Sequence, residues 1–104
     1  MSDSGHIWLV LEARVLAGGR ADLEAFLREA RPYYESIGDT TMHVMWDAQD
    51  DHRFREIFEY HTREAYEADD HRVKNDPEMQ TYLKRWRALL DGEISVTVWN
   101  SLPL

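Results

Sequence analysis

An α+β domain with a four-stranded antiparallel sheet is what this sequence predicts, on three observations. Four short stretches alternate apolar and polar residues with the period of two that half-buries a strand. Two longer stretches repeat apolar residues at i, i+3, i+4 and i+7, the stripe of an amphipathic helix. These segments fall in the order βαββααβ, with a short polar helix before the last long one.

The first strand is expected over residues 6–15, where Ile7, Leu9, Leu11, Ala13 and Val15 share one face. Ala17-Gly18-Gly19 supplies the turn, since glycine takes positive φ without penalty. A helix follows from about residue 20 to 37 on the stripe Leu23, Phe26, Leu27, Ala30, Tyr34 and Ile37. Pro32 removes one helical donor and should bend that helix or end its regular part near Arg31. Strands are then expected over 40–47 and 53–60, joined by the polar loop 48–52. Met42, Val44 and Trp46 fall on the helix-facing side with Phe54, Phe58 and Tyr60, and alternation places Glu56 among them. Thr62 is a good N-cap for a short helix reaching Asp69. Asp76-Pro77 starts the last helix, whose stripe is Met79, Tyr82, Leu83, Trp86, Leu89 and Leu90. Gly92 closes it before a strand over 93–100, in which Ile94, Val96 and Val98 alternate.

This order in one domain, residues 1–104, is the ferredoxin-like split βαβ arrangement, which covers one sheet face with helices and leaves the other bare. The bare face carries Trp8, Val10, His43, Met45, Ile57 and Trp99, more apolar surface than a monomer leaves to water. A homodimer with the two sheets face to face, a dimeric α+β barrel, is the expected cover. Glu12, Arg14, Arg55 and Glu59 on the same face are placed to form ion pairs.

Composition removes several classes of function. A net charge of −8 with a pI near 5.0 repels phosphate backbones and anionic lipid, so neither nucleic acid nor membrane is an expected partner. The absence of cysteine excludes disulfides, thiolate nucleophiles and cysteine-ligated metals. Met1 to His6 is short and polar, with no apolar signal segment, and a cytoplasmic location is the expectation. No metal and no cofactor are expected. The triplets Asp69-Asp70-His71 and Asp50-Asp51-His52 are adjacent in sequence, and adjacent helical residues diverge by about 100°.

Several segments carry a family resemblance. They are the strand Leu9-Val10-Leu11-Glu12-Ala13-Arg14-Val15, the helix start Leu23-Glu24-Ala25-Phe26-Leu27, the junction from Phe58 to Tyr66, the Asp76-Pro77 helix and the terminal Val96-Thr97-Val98-Trp99. In these the chain resembles the dimeric α+β barrel superfamily, and within it the antibiotic biosynthesis monooxygenase-like proteins. NIPSNAP-like relatives match the Asp76-Pro77 helix comparably. The resemblance implies a small-molecule enzyme, with cofactor-free oxidation of an aromatic or polyketide-like compound as one activity of the family. The alternative it implies is a non-catalytic dimeric protein that binds a hydrophobic ligand. Haem-degrading relatives use a strand asparagine, a helix tryptophan and a later histidine. The corresponding positions here are Ala13, a site near Asp69, and no histidine, so haem degradation is not expected.

Two residues are candidate catalytic groups. Glu56, buried without a cation, would have a raised pKa and suit a general base, unless a bulge leaves it wet. His71, beside Asp69 and Asp70 near a helix end, could titrate near neutral pH. Tyr34, Phe58, Tyr66, Tyr82 and Trp86 converge by their stripes into a candidate pocket for a small hydrophobic or aromatic molecule. His6, His52 and His61 read as exposed or capping residues.

Overall fold

The computed structural model describes residues 5–104. Its elements run β1 (Ile7–Arg14), α1 (Arg20–Glu35), β2 (Thr40–Asp47), β3 (Asp50–Tyr60), α2 (Arg63–Asn75), α3 (Pro77–Arg87) and β4 (Ser95–Asn100). The strands form one antiparallel sheet in the order β2-β3-β1-β4, the split βαβ topology. Its core lies between one sheet face and the helices. Leu23, Phe26, Leu27, Ala30 and Tyr34 of α1 and Met79 and Trp86 of α3 meet Ile7, Ala13, Met42, Phe54, Phe58 and Tyr60 of the sheet.

Four boundaries differ from the sequence expectation. The β2–β3 connection is the two-residue turn Ala48-Gln49, because Asp47 already pairs with Asp50. Trp46 then pairs with Phe54, so Asp51, His52 and Arg53 have no counterpart in β2 and form a bulge. Pro32 neither ends nor shortens α1, which continues to Glu35. Burial of Ala30 and Tyr34 on either side of the exposed proline outweighs the missing hydrogen bond. The carbonyls of Tyr33 and Tyr34, near the end of α1, are each taken up at 2.7 Å by the Arg72 guanidinium. The second helix reaches Asn75 rather than Asp69, and Asp76 both ends it and caps α3 by accepting from the Glu78 amide at 2.9 Å. α3 stops at Arg87, and beyond it Leu90 bridges to Val15.

β4 departs most from expectation. Val96 and Val98 point to the helix side, opposite Leu11 and Leu9, but no helix covers that edge and they are half exposed. Trp99 on the other face is 61% exposed, so this strand is uncovered on both sides. Among the described residues, no helix is long and apolar enough to cross a membrane.

Candidate functional site

β3 occupies an interior position in the sheet, and alternation along it sends Phe54, Glu56, Phe58 and Tyr60 toward the helices. Glu56 sits between Leu11 of β1 and Val44 of β2. The bulge that would have left it wet lies nearer the turn, at Trp46 and Asp47, and Glu56 is 1% exposed. Its Oε2 has no hydrogen-bond partner. Desolvation pushes its pKa up from 4.5 to about 8, and the nearby Trp86 indole offsets only part of that rise. Trp86 Nε1 is buried and completes no hydrogen bond of ordinary geometry.

Glu56 and Trp86 both line a cavity of about 60 Å³, with Leu9, Leu11, Tyr34, Phe58 and residues of α2 and α3. That volume holds one or a few waters; a planar aromatic needs a cavity of about 150 Å³. Of the five expected pocket residues, Tyr34, Phe58 and Trp86 line it. Tyr66 instead packs edge-on against Tyr60, and Tyr82 packs among Phe26, Tyr33 and Tyr34. Burial, reinforced by the Glu56 carboxylate, raises the pKa of the Tyr34 hydroxyl.

His71 is not brought to this cavity. It is exposed on α2, with its ring and carbonyl bonded to Asn75. Two residues along a helix turn a side chain through about 200°, so the face that buries Asp69 points His71 to solvent. Besides Ala65, the buried groups of α2 are the polar Asp69 and Arg72, which alternation and apolar stripes do not reveal. Asp69 accepts from the Tyr60 hydroxyl and from Arg72 Nη2 at 3.1 Å. The Arg72 guanidinium also lies 4.4 Å over the Tyr33 ring. Asp69 lines the cavity with its charge already matched, whereas Glu56 has no cation beside it.

The opposite sheet face carries a second group of interacting polar side chains. Glu59 Oε2 lies 2.7 Å from His6 Nδ1, and its Oε1 lies 3.0 Å from His43 Nε2. The hydrogen bond from His43, and then that from His6, hold the Glu59 carboxyl below its usual range. His61 stands beside His6 with ring centroids 5.0 Å apart, and His43 stacks on Trp8. Reading the histidines one at a time misses this group. Its signal is the β1–β3 register, in which Ile7 opposes Tyr60 and so brings His6 alongside His61. Further along the face, Glu12 accepts from Arg53 at 2.9 Å and Arg55 at 3.0 Å, and Arg14 donates to Asp50 at 2.6 Å.

No protein-family model matches this sequence, and neither does any curated protein sequence. Solved structures do match. A candidate antibiotic biosynthesis monooxygenase from Bordetella bronchiseptica superposes with a TM-score of 0.77 at 17% identity, over 94% of this chain and 98% of that one. A variant of SnoaB, a cofactor-independent oxygenase from Streptomyces nogalater, gives 0.76 at 12% identity over 92% of each chain. A second candidate antibiotic biosynthesis monooxygenase, from Nitrosomonas europaea, gives 0.76 at 14% identity, over 98% of this chain and 96% of that one. At such identities the likeness establishes architecture: the chain has the ferredoxin-like fold of the antibiotic biosynthesis monooxygenase-like proteins.

Proposed function

We propose that the chain is a small-molecule enzyme in which Glu56 acts as a general base toward an aromatic or polyketide-like substrate, oxidised by molecular oxygen without a cofactor. The observation that carries this reading is a carboxyl group buried in the core, unpaired at Oε2, in a cavity that also holds an unpartnered indole N–H. Such a carboxyl costs stability, and surroundings of this kind are those in which groups are tuned for proton transfer. Above pH 8 Glu56 is ionised and accepts a phenolic proton; Trp86 Nε1 is positioned in the same cavity to donate to the resulting oxyanion. The electron-rich anion is the species that reacts with oxygen. A planar substrate must displace side chains, and Met79 and Leu83 of α3, with Val73 of α2, form the wall that yields. The cofactor-independent oxygenase SnoaB, with the same fold, supports the reaction class.

The working unit in this reading is a homodimer joined through the bare sheet face. Trp8, Val10, His43 and Ile57 are only partly buried, while Met45 is 49% and Trp99 61% exposed. Together they offer an apolar patch of the kind that marks an interface.

The test is oxygen consumption with a panel of phenols and hydroxyquinones, comparing the native chain with Glu56→Gln. Loss of turnover with the fold retained supports the base; full turnover in the variant removes it. The mainly apolar cavity lining, and the position of His71 outside it, favour as second reading a binding protein that holds a hydrophobic ligand unchanged. That reading predicts thermal protection by the same compounds with no oxygen consumed.

A further inference from the structure

We propose that His6, Glu59 and His61 form a binding site for a divalent first-row transition metal ion of the zinc class. One donor atom from each lies within 4.8 Å of those of the other two. Two imidazoles and one carboxylate are the donor set that such ions favour over magnesium or calcium, and three protein donors leave room for water. Donors about 2.1 Å from one ion sit about 3.3 Å apart, which modest rotation of the partly exposed imidazoles achieves.

The backbone presents these donors together. Glu59 and His61 are two residues apart at the end of β3 and so share a face, and His6 enters β1 directly beside them. The segments are pinned: the His6 amide donates to Ser101 Oγ at 2.7 Å, and the His61 amide to the Asp39 carbonyl at 2.8 Å. An outer layer is also in place. His43 Nε2 engages Glu59 Oε1, leaving Oε2 toward His6, and the Thr41 hydroxyl lies 3.1 Å from His61 Nε2. Partners of this kind orient ligands and fix histidine tautomers. Among the described residues, the other cluster with suitable donors is Asp50, Asp51 and His52 at the start of β3, where Asp50 is already paired with Arg14. The site lies on the sheet face opposite Glu56 and shares no residue with the proposed base, although it shares that face, and His43, with the proposed dimer contact.

The experiment is calorimetric titration of Zn²⁺ into chelator-treated, tag-free protein at pH 7.5. One ion per chain is expected, with at least a tenfold loss of affinity in His6→Ala and in His61→Ala. His43→Ala should weaken binding about 10–100-fold as an outer-layer change, and His52→Ala should leave it unaltered. Binding that survives both His6→Ala and His61→Ala, or that disappears in His52→Ala, overturns the assignment, as does no binding by the native chain. Histidine ring NMR of the native protein provides a readout independent of variants. Zn²⁺ must perturb His6 and His61 while sparing His71; the reverse pattern refutes the site.

Discussion

Replacing Glu56 by glutamine keeps the side chain's shape and removes its ability to ionise, so stability then reports what burying the charge costs. In the folded chain the carboxyl is 1% exposed with a pKa raised from 4.5 to about 8. On unfolding it returns to 4.5, so the folded state binds the proton more tightly. A raised carboxyl pKa contributes its full stability below pH 4.5, loses it progressively toward pH 8, and changes little above that. Integration gives a loss of about 3 kcal/mol at pH 7 and about 5 kcal/mol at pH 9. These are ceilings, because water entering the cavity solvates the ion. Against total stabilities of roughly 5–15 kcal/mol the effect is large. Guanidinium unfolding of both proteins at pH 5, 7 and 9, at one fixed protein concentration, is the assay. The native chain should weaken steeply with pH while Glu56→Gln does not, so the variant becomes the more stable protein at pH 9. Parallel profiles would show that the carboxylate is solvated or paired in the folded state, and the general-base reading would lose its foundation.

Other perturbations separate the remaining parts of the structure. Trp99→Asp places a charge on the bare face and should convert the proposed dimer to 12.3 kDa monomers in sedimentation velocity; unchanged mass argues against sheet-to-sheet pairing. Trp86→Ala should cost about 3–5 kcal/mol in denaturant unfolding, since truncating a buried indole removes its packing and leaves a cavity. Arg72→Met should cost about 3–5 kcal/mol, because Asp69 is left buried without its cation and the Tyr33 and Tyr34 carbonyls lose their donor. A loss below 1 kcal/mol would mean that Asp69 finds water or protonates.

What sequence patterns convey about this protein follows from which forces leave a periodic trace. Burial does, so the alternation of β1 and β3 and the stripe of α1 are legible, and alternation alone places Glu56 among aromatics. Polar residues that fold inward leave none. Beyond Ala65 the buried face of α2 is Asp69 and Arg72, so no apolar stripe marks its length or shows that His71 faces away from the core. The first three residues of β3 leave no trace for the same reason: Asp50, Asp51 and His52 are all polar, and they are held by backbone pairing and by the Arg14–Asp50 ion pair. The local cost of Pro32 is visible in the sequence, whereas the packing of Tyr34 that offsets it is not. The His6, Glu59 and His61 group needs cross-strand register, which a single sequence does not contain.

Both candidate sites depend on one strand. The even-numbered residues of β3 from Phe54 to Tyr60 face the helices, and Ile57, Glu59 and, just beyond the strand, His61 follow the other side. A slip of one residue would put Glu56 on the open face and Glu59 in the core, exchanging a buried unpaired carboxyl for one that has two histidine partners. The bulge at Trp46 and Asp47 absorbs the three extra residues of the hairpin before the register reaches Glu56. Shortening it, by deleting one residue between Asp51 and Arg53, would force β3 either to reform the bulge or to slip. Slippage should abolish the alkaline weakening expected of the native chain together with Zn²⁺ binding, even though the two sites lie on opposite faces. Loss of one property without the other would show that the register holds and that the deletion acts locally.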